Sequence, residues 1–185
     1  MGVDGRAAAR PGAPDGREKK APTAAILDRQ SGRTAGQGGA CGYAANRKIK
    51  GRKRHLLTAT RGWLPGGEIT AASVQDRAGA KPLLRRAARA FGRLSKVWAG
   101  AGDAGRFGAW VKQLRPHGRR HLEVVRSPKP AKGLAVQPRR WVIERSCAWL
   151  TRCRRLVKDD ERLPTHSAAF IHLAFTGLRL RSLTR

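Results

Sequence analysis

Carboxylates are scarce in this chain, 12 Asp+Glu against 40 Lys+Arg in 185 residues, so the position of each one narrows the available chemistry. Glu144 stands in the run Trp141-Val142-Ile143-Glu144-Arg145-Ser146-Cys147-Ala148-Trp149-Leu150-Thr151-Arg152-Cys153-Arg154-Arg155-Leu156, which contains neither glycine nor proline. That length reads as about four to five helical turns. Val142, Trp149, Cys153 and Leu156 recur at the spacing of a buried stripe, and Glu144 lies off it. Helical spacing puts Ala148, Thr151 and Arg155 on the face of Glu144, so this acid points outward among arginines. Asp28 closes the short apolar run Ala24-Ala25-Ile26-Leu27 and stands at a strand's end. A carboxylate in such a place either pairs with cations on a solvated face or offers the hard oxygens that Mg²⁺ prefers.

The elements that must position these acids follow from periodicity. Residues 1–22 hold almost nothing large and apolar; they cannot offset chain entropy by burial and are expected to form a disordered basic tail. Residues 23–185 then form one domain. After the Asp28 strand, Ser31 to Ala45 carries five glycines and reads as a mobile loop. Lys48-Ile49-Lys50-Gly51-Arg52-Lys53-Arg54-His55 places six basic residues in eight positions and leads into the strand Leu56–Thr60. A basic run at a strand entry suits phosphate contacts, because each neutralised phosphate releases condensed counterions; the plainer alternative is a solvated charge run. Trp63 to Ala71 reads as a third strand shortened by Pro65-Gly66-Gly67. Further on, the pattern gives a helix over 76–91, a strand over 93–98, a helix over 107–114 and a strand over 121–125. A basic linker leads to the Glu144 helix, and an amphipathic helix over 167–183 closes the chain. Alternating strands and helices of this kind argue for an α/β sandwich, one sheet with helices on its faces.

The formal net charge of +28 exceeds what solubility requires and points to a polyanionic partner, nucleic acid first. The cations are spread along the chain, which disfavours a single membrane anchor, and no apolar run supports a signal peptide or a membrane span. Cys41, Cys147 and Cys153 make no C-x-x-C pair and read as packing residues of a reducing cytosol. Pro116 and Gly118 argue against a helical zinc pair of His117 and His121.

The wording of the Glu144 helix, continued by Lys158-Asp159-Asp160-Glu161-Arg162-Leu163-Pro164, closely resembles the C-terminal signature of DDE transposases of bacterial insertion sequences, and within them the IS-five-like group. Gly42-Tyr43 through His55 and Ala71-Ala72-Ser73-Val74-Gln75-Asp76-Arg77 resemble two more of that family's blocks, so the likeness runs from about Thr23 to Leu183. It implies a ribonuclease-H-like fold, a mixed sheet flanked by helices. It also implies metal-dependent DNA strand cleavage and transfer, in which a freed 3′-hydroxyl attacks target DNA. Asp28 and Glu144 match the first and last of three catalytic, Mg²⁺-binding acids. Lys48, Lys50, Arg52, Lys53, Arg54, His55, Arg145, Arg152 and Arg155 match the cationic surface that faces DNA. The expected partners are DNA and further copies of the chain assembled on it, at the nucleoid in the cytoplasm and away from membranes. No helix-turn-helix recognition module is expected within the chain.

The family's second acid lies in Trp-Ala-Asp-Gly-Gly-Tyr, and the corresponding run here is Trp98-Ala99-Gly100-Ala101-Gly102-Asp103. Gly100 takes the acid's place, and Asp103 falls three residues on, about 10 Å along an extended chain. An impaired transposase is therefore expected. The competing readings are a non-catalytic basic DNA-binding protein derived from a transposase, and a basic structural protein associated with RNA.

Overall fold

A computed structural model describes residues 21–36, 39–60, 62–64, 66–99, 105–114, 121–124 and 140–184. Apart from residues 21 and 22, the expected basic tail lies outside them. The strands are β1 (Ala24–Arg33), β2 (Gly42–Ala44), β3 (Ile49–Ala59), β4 (Gly66–Ala71), β5 (Lys96–Ala99) and β6 (His121–Val124). The helices are α1 (Asp76–Ala90), α2 (Arg106–Gln113), α3 (Arg140–Arg152), α4 (Arg154–Val157) and α5 (Pro164–Leu183), with one short 3₁₀ turn at Ala45–Arg47.

All six strands form one mixed sheet in the order β2-β3-β1-β5-β6. The β1–β3, β2–β3 and β3–β4 pairs are antiparallel, and the β1–β5 and β5–β6 pairs are parallel. Because Gly51 pairs with Arg33 on one side and Gly42 on the other, β2 and β4 share the edge of β3 away from β1. This is a mixed sheet flanked by helices, consistent with the ribonuclease-H-like fold that the resemblance implied.

Strand alternation sorts the core into two layers. Ala25 and Leu27 of β1, Leu57 of β3 and Val97 and Ala99 of β5 pack with Leu83, Leu84 and Ala87 of α1 and Phe107 and Val111 of α2. Ile26, Leu56, Ile69 and Trp98 face the other way, against Val142, Ile143 and Leu150 of α3, Leu156 of α4 and Ile171 and Phe175 of α5. Asp28 has the parity of Ile26 and so belongs to the α3 face.

Several expectations change, among them that of Asp28 at a strand's end, since β1 runs on to Arg33. Beyond Lys50 the basic run does not lie on the surface: every β3 residue from Gly51 to Ala59 is buried. On the α3 face the Arg52 guanidinium donates to Ala40 O (2.8 Å), Glu161 O (2.6 Å), Arg162 O (2.6 Å) and Asp159 Oδ1 (3.2 Å). Arg54 Nη1 donates to Leu156 O at 2.6 Å. On the α1 face Lys53 Nζ donates to Val74 O (2.6 Å) and pairs with Asp76 Oδ1 (2.7 Å). His55 Nε2 bonds Thr70 Oγ1 at 3.0 Å, below Gly79, where an added Cβ would come within 2.1 Å of that same nitrogen. Donors spent in this way inside the protein are not available to phosphates. The Glu144 helix is also not continuous: Cys153 is extended (φ −82°, ψ 103°) and separates α3 from α4. The turn lets Asp159 reach β1, where Asp159 N donates to Arg33 O and Ala35 N donates to Asp159 O, both at 2.9 Å. The loop expected over 31–45 is in part the end of β1, in part β2.

Two stability measurements check this interior. Arg52→Met leaves Asp159 buried without its cation and should cost about 3–5 kcal/mol in chemical denaturation; a cost near that of a surface pair, about 1 kcal/mol or less, would contradict the burial. Burial, helped by Lys53, lowers the pKa of His55 from 6.5 to about 4. The unfolded chain therefore takes up a proton below pH 6.5 that the native state refuses until about pH 4. Stability should be complete above that range and fall as pH drops through it, by at most about 3 kcal/mol. His55→Gln should flatten this slope, and an unchanged slope would assign it to other groups.

Candidate active site

The sheet carries Asp28, half-buried in the middle of β1, and α3 carries Glu144, exposed and off the buried stripe as its spacing required. Val142, Ile143, Ser146 and Leu150 hold α3 against the sheet, and Ser146 Oγ donates back to Val142 O at 2.9 Å. The two carboxylates meet electrostatically at Cys147. Burial is the main cause that pushes this thiol up to about 12; Asp28 and Glu144 both raise it further, whereas Arg54 opposes them. Asp28 and Glu144 thus act on one sulfur from β1 and from α3. Sequence reading took Cys147 for a packing residue, which it is, and gave no sign that both acids would raise its pKa.

The other cations expected to face DNA are spread over α3, α4 and the start of β3. Arg145 lies between two indoles, its guanidinium carbon 4.6 Å from the Trp141 ring centre and 4.8 Å from that of Trp149. Burial lowers its pKa. Gly62 has φ +87°, and a Cβ there would lie 3.0 Å from Arg145 Nη2, so the loop approaches the guanidinium closely. Arg152 is exposed. Arg155 has moved onto α4, where it pairs with Glu161 Oε1 at 2.7 Å and lies 5.0 Å from the Phe170 ring centre. Lys48, with φ 50°, and Lys50 are exposed at the start of β3. Of the cations expected to face DNA, Lys48, Lys50 and Arg152 are on the surface, Arg145 and Arg155 are held by aromatic or acidic neighbours, and Arg52, Lys53, Arg54 and His55 are internal. Asp159 is the structural acid that sequence reading missed; nothing in Lys158-Asp159-Asp160-Glu161 distinguishes it from its solvated neighbours.

The profile of a family described as transposase DDE domain matches residues 19–176. The chain belongs to that family. No curated protein matches it. A transposase DDE domain acts in transposition and takes DNA as its substrate, and the family generally uses a divalent metal. No helix among the described residues is long and apolar enough to cross a membrane.

The donors of this DDE domain set what metal chemistry it can support. Among the described residues no group of three or more His, Cys, Asp or Glu could hold a metal ion. Gly100 and Asp103 lie outside those residues. Asp28 and Glu144 are hard oxygen donors that suit one Mg²⁺, an ion that commonly takes one or two carboxylates and completes its shell with water and phosphate oxygen. A neutral Cys147 thiol adds nothing to such a site.

The convergence on Cys147 has a direct chemical readout. Asp28→Asn and Glu144→Gln should each lower the pKa of Cys147 and accelerate its alkylation at a fixed alkaline pH, followed by mass spectrometry with Cys41 as the exposed internal standard. Wild-type rates in both variants would mean that the carboxylates do not share this thiol.

Proposed function

We propose that this chain cuts and joins DNA strands during transposition of an IS-five-like insertion sequence, with Asp28 and Glu144 as the catalytic carboxylates and Mg²⁺ as their metal. The observation that carries the reading is that α3, which bears Glu144, packs on the sheet face to which Asp28 belongs, in a chain of the transposase DDE-domain family. When bound, the metal supplies charge neutralisation at the scissile phosphate and activates the attacking oxygen. The chain's own part is placement. Asp28 is fixed by the β1–β3 and β1–β5 ladders, and Glu144 by the buried side of α3. Lys48, Lys50 and Arg152 hold the phosphate backbone electrostatically, with Arg145 and Arg155 behind them. Arg52, Lys53, Arg54 and His55 contribute by stiffening β3 and not by touching DNA. The protein works at the nucleoid, with copies assembled on the DNA.

The rate is impaired. Gly100 stands where the family places its second acid, so the site offers two anionic side chains where three neutralise and orient two metal ions. The same glycine favours the second reading, a DNA-binding protein without catalysis.

Nicking of supercoiled plasmid separates the two readings. Wild type should nick weakly and only with Mg²⁺; Asp28→Asn or Glu144→Gln should abolish that activity, and Gly100→Asp should raise it about tenfold or more. Persisting DNA binding with no Mg²⁺-dependent nicking in wild type or Gly100→Asp would leave the non-catalytic reading.

A further inference from the structure

The sheet face opposite Asp28 carries a feature that catalysis does not use. A cavity of about 780 Å³ opens between the β1–β3 ladder, the 3₁₀ turn at Ala45–Arg47 and the start of α1. Its charged lining is four cations, Arg29, Arg47, Lys53 and Arg77, against one carboxylate, Asp76. Asp76 is already committed twice: Arg29 pairs with one of its oxygens, and Lys53 Nζ lies 2.7 Å from the other. Arg47 and Arg77 are exposed, so three positive charges in excess converge on the cavity. Packing gives no reason for the excess, since like charges around a shared volume repel one another.

The remaining lining decides between ligands. Ala44, Ala45, Ala72 and Ser73 add small side chains to the lining, and Tyr43, 57% exposed, belongs to it as well. Pockets that take small metabolites are mostly apolar with few polar groups. This one is lined by more polar and charged side chains than apolar ones. Cations along a groove with an aromatic beside them are how proteins hold single-stranded nucleic acid, phosphates on the cations and a base on the ring. The volume lies within the range of about 300–1,000 Å³ that encloses one small ligand, so it suits one strand and not a duplex.

We propose that this cavity binds the phosphodiester backbone of a single DNA strand, behind the sheet from Asp28 and Glu144, with a base stacked on Tyr43. The proposal rests on DNA being the substrate of this domain. It gives the chain a second DNA contact that does not depend on the carboxylates and lets it hold a displaced strand apart from the strand being cut.

The test is fluorescence anisotropy with a labelled single-stranded oligonucleotide in EDTA, where metal chemistry is silent. Arg47→Glu with Arg77→Glu should weaken binding about tenfold or more and make the salt slope shallower by about 1.4, the share of two phosphates on a single strand. Tyr43→Ala should weaken it roughly fivefold or more. A charge-matched control, Arg93→Glu with Lys112→Glu on exposed positions elsewhere, should lose much less. Circular dichroism verifies folding of each variant. Equal losses in the two double variants would reduce the effect to overall charge and overturn the proposal, as would wild-type binding in the cavity variant. Failure of the cleavage reading is seen separately, as absent Mg²⁺-dependent nicking in a protein whose oligonucleotide binding still depends on Arg47 and Arg77.

Discussion

The Arg52 guanidinium is the point on which the α3 side of the molecule depends. It is 1% exposed, and its donors are divided among Ala40 O, Asp159 Oδ1, Glu161 O and Arg162 O. Asp159 is in turn satisfied by Ser167 Oγ at 2.8 Å and by the Glu161 amide at 3.1 Å, so β3, the 159–162 segment and the start of α5 are joined through one ion pair. A buried pair carries a large desolvation cost that only further hydrogen bonds offset, and here those bonds are backbone carbonyls with fixed positions. The pair therefore specifies where the C-terminal segment docks. With that segment docked, α3 has a wall to lie against.

The same logic explains how so basic a chain builds a sheet. Carboxylates are few, and the interior ones are shared: Asp76 serves Arg29 and Lys53 on one face, and Asp159 serves Arg52 and Ser167 on the other. Backbone carbonyls take further donors, as Leu156 O does for Arg54 Nη1, whereas Arg54 Nη2 is buried without a hydrogen-bond partner. Cations thereby replace part of the apolar filling of β3, and most of the charge left for DNA belongs to loops, helix surfaces and strand ends.

Much of the fold was legible because periodicity is local. Ile26 and Leu27 marked β1, the spacing of Ala80, Leu83, Leu84, Ala87 and Ala88 marked α1 to within a residue of its end, and Phe107 to Leu114 marked α2. Asp28 and Glu144 are paired through resemblance alone, since neither spacing nor composition relates residues so far apart. The basic run was misread because a lone stretch of Lys and Arg ordinarily belongs in water. Its burial depends on partners 102 to 110 residues away that no local pattern shows. Cys153 broke a helix that its propensity favours because the chain had to turn back towards β1, a tertiary demand that overrides weak local preference.

The span of the Arg52 contacts bears on how the chain matures on the ribosome. Its hydrogen-bond acceptors come from residues 40 and 159–162, so β3 is synthesised long before most of its partners exist. Until residue 162 emerges, a nascent β3 presents Arg52 and Arg54 without their carbonyls and Leu56 without its helices. Pairing of β1 with β3 can form early, but the layer that carries Glu144 can close only after the 159–162 segment has emerged. A message interrupted before Asp159 would yield an open sheet with its cations unpaired, which chaperones and proteases recognise as unfinished.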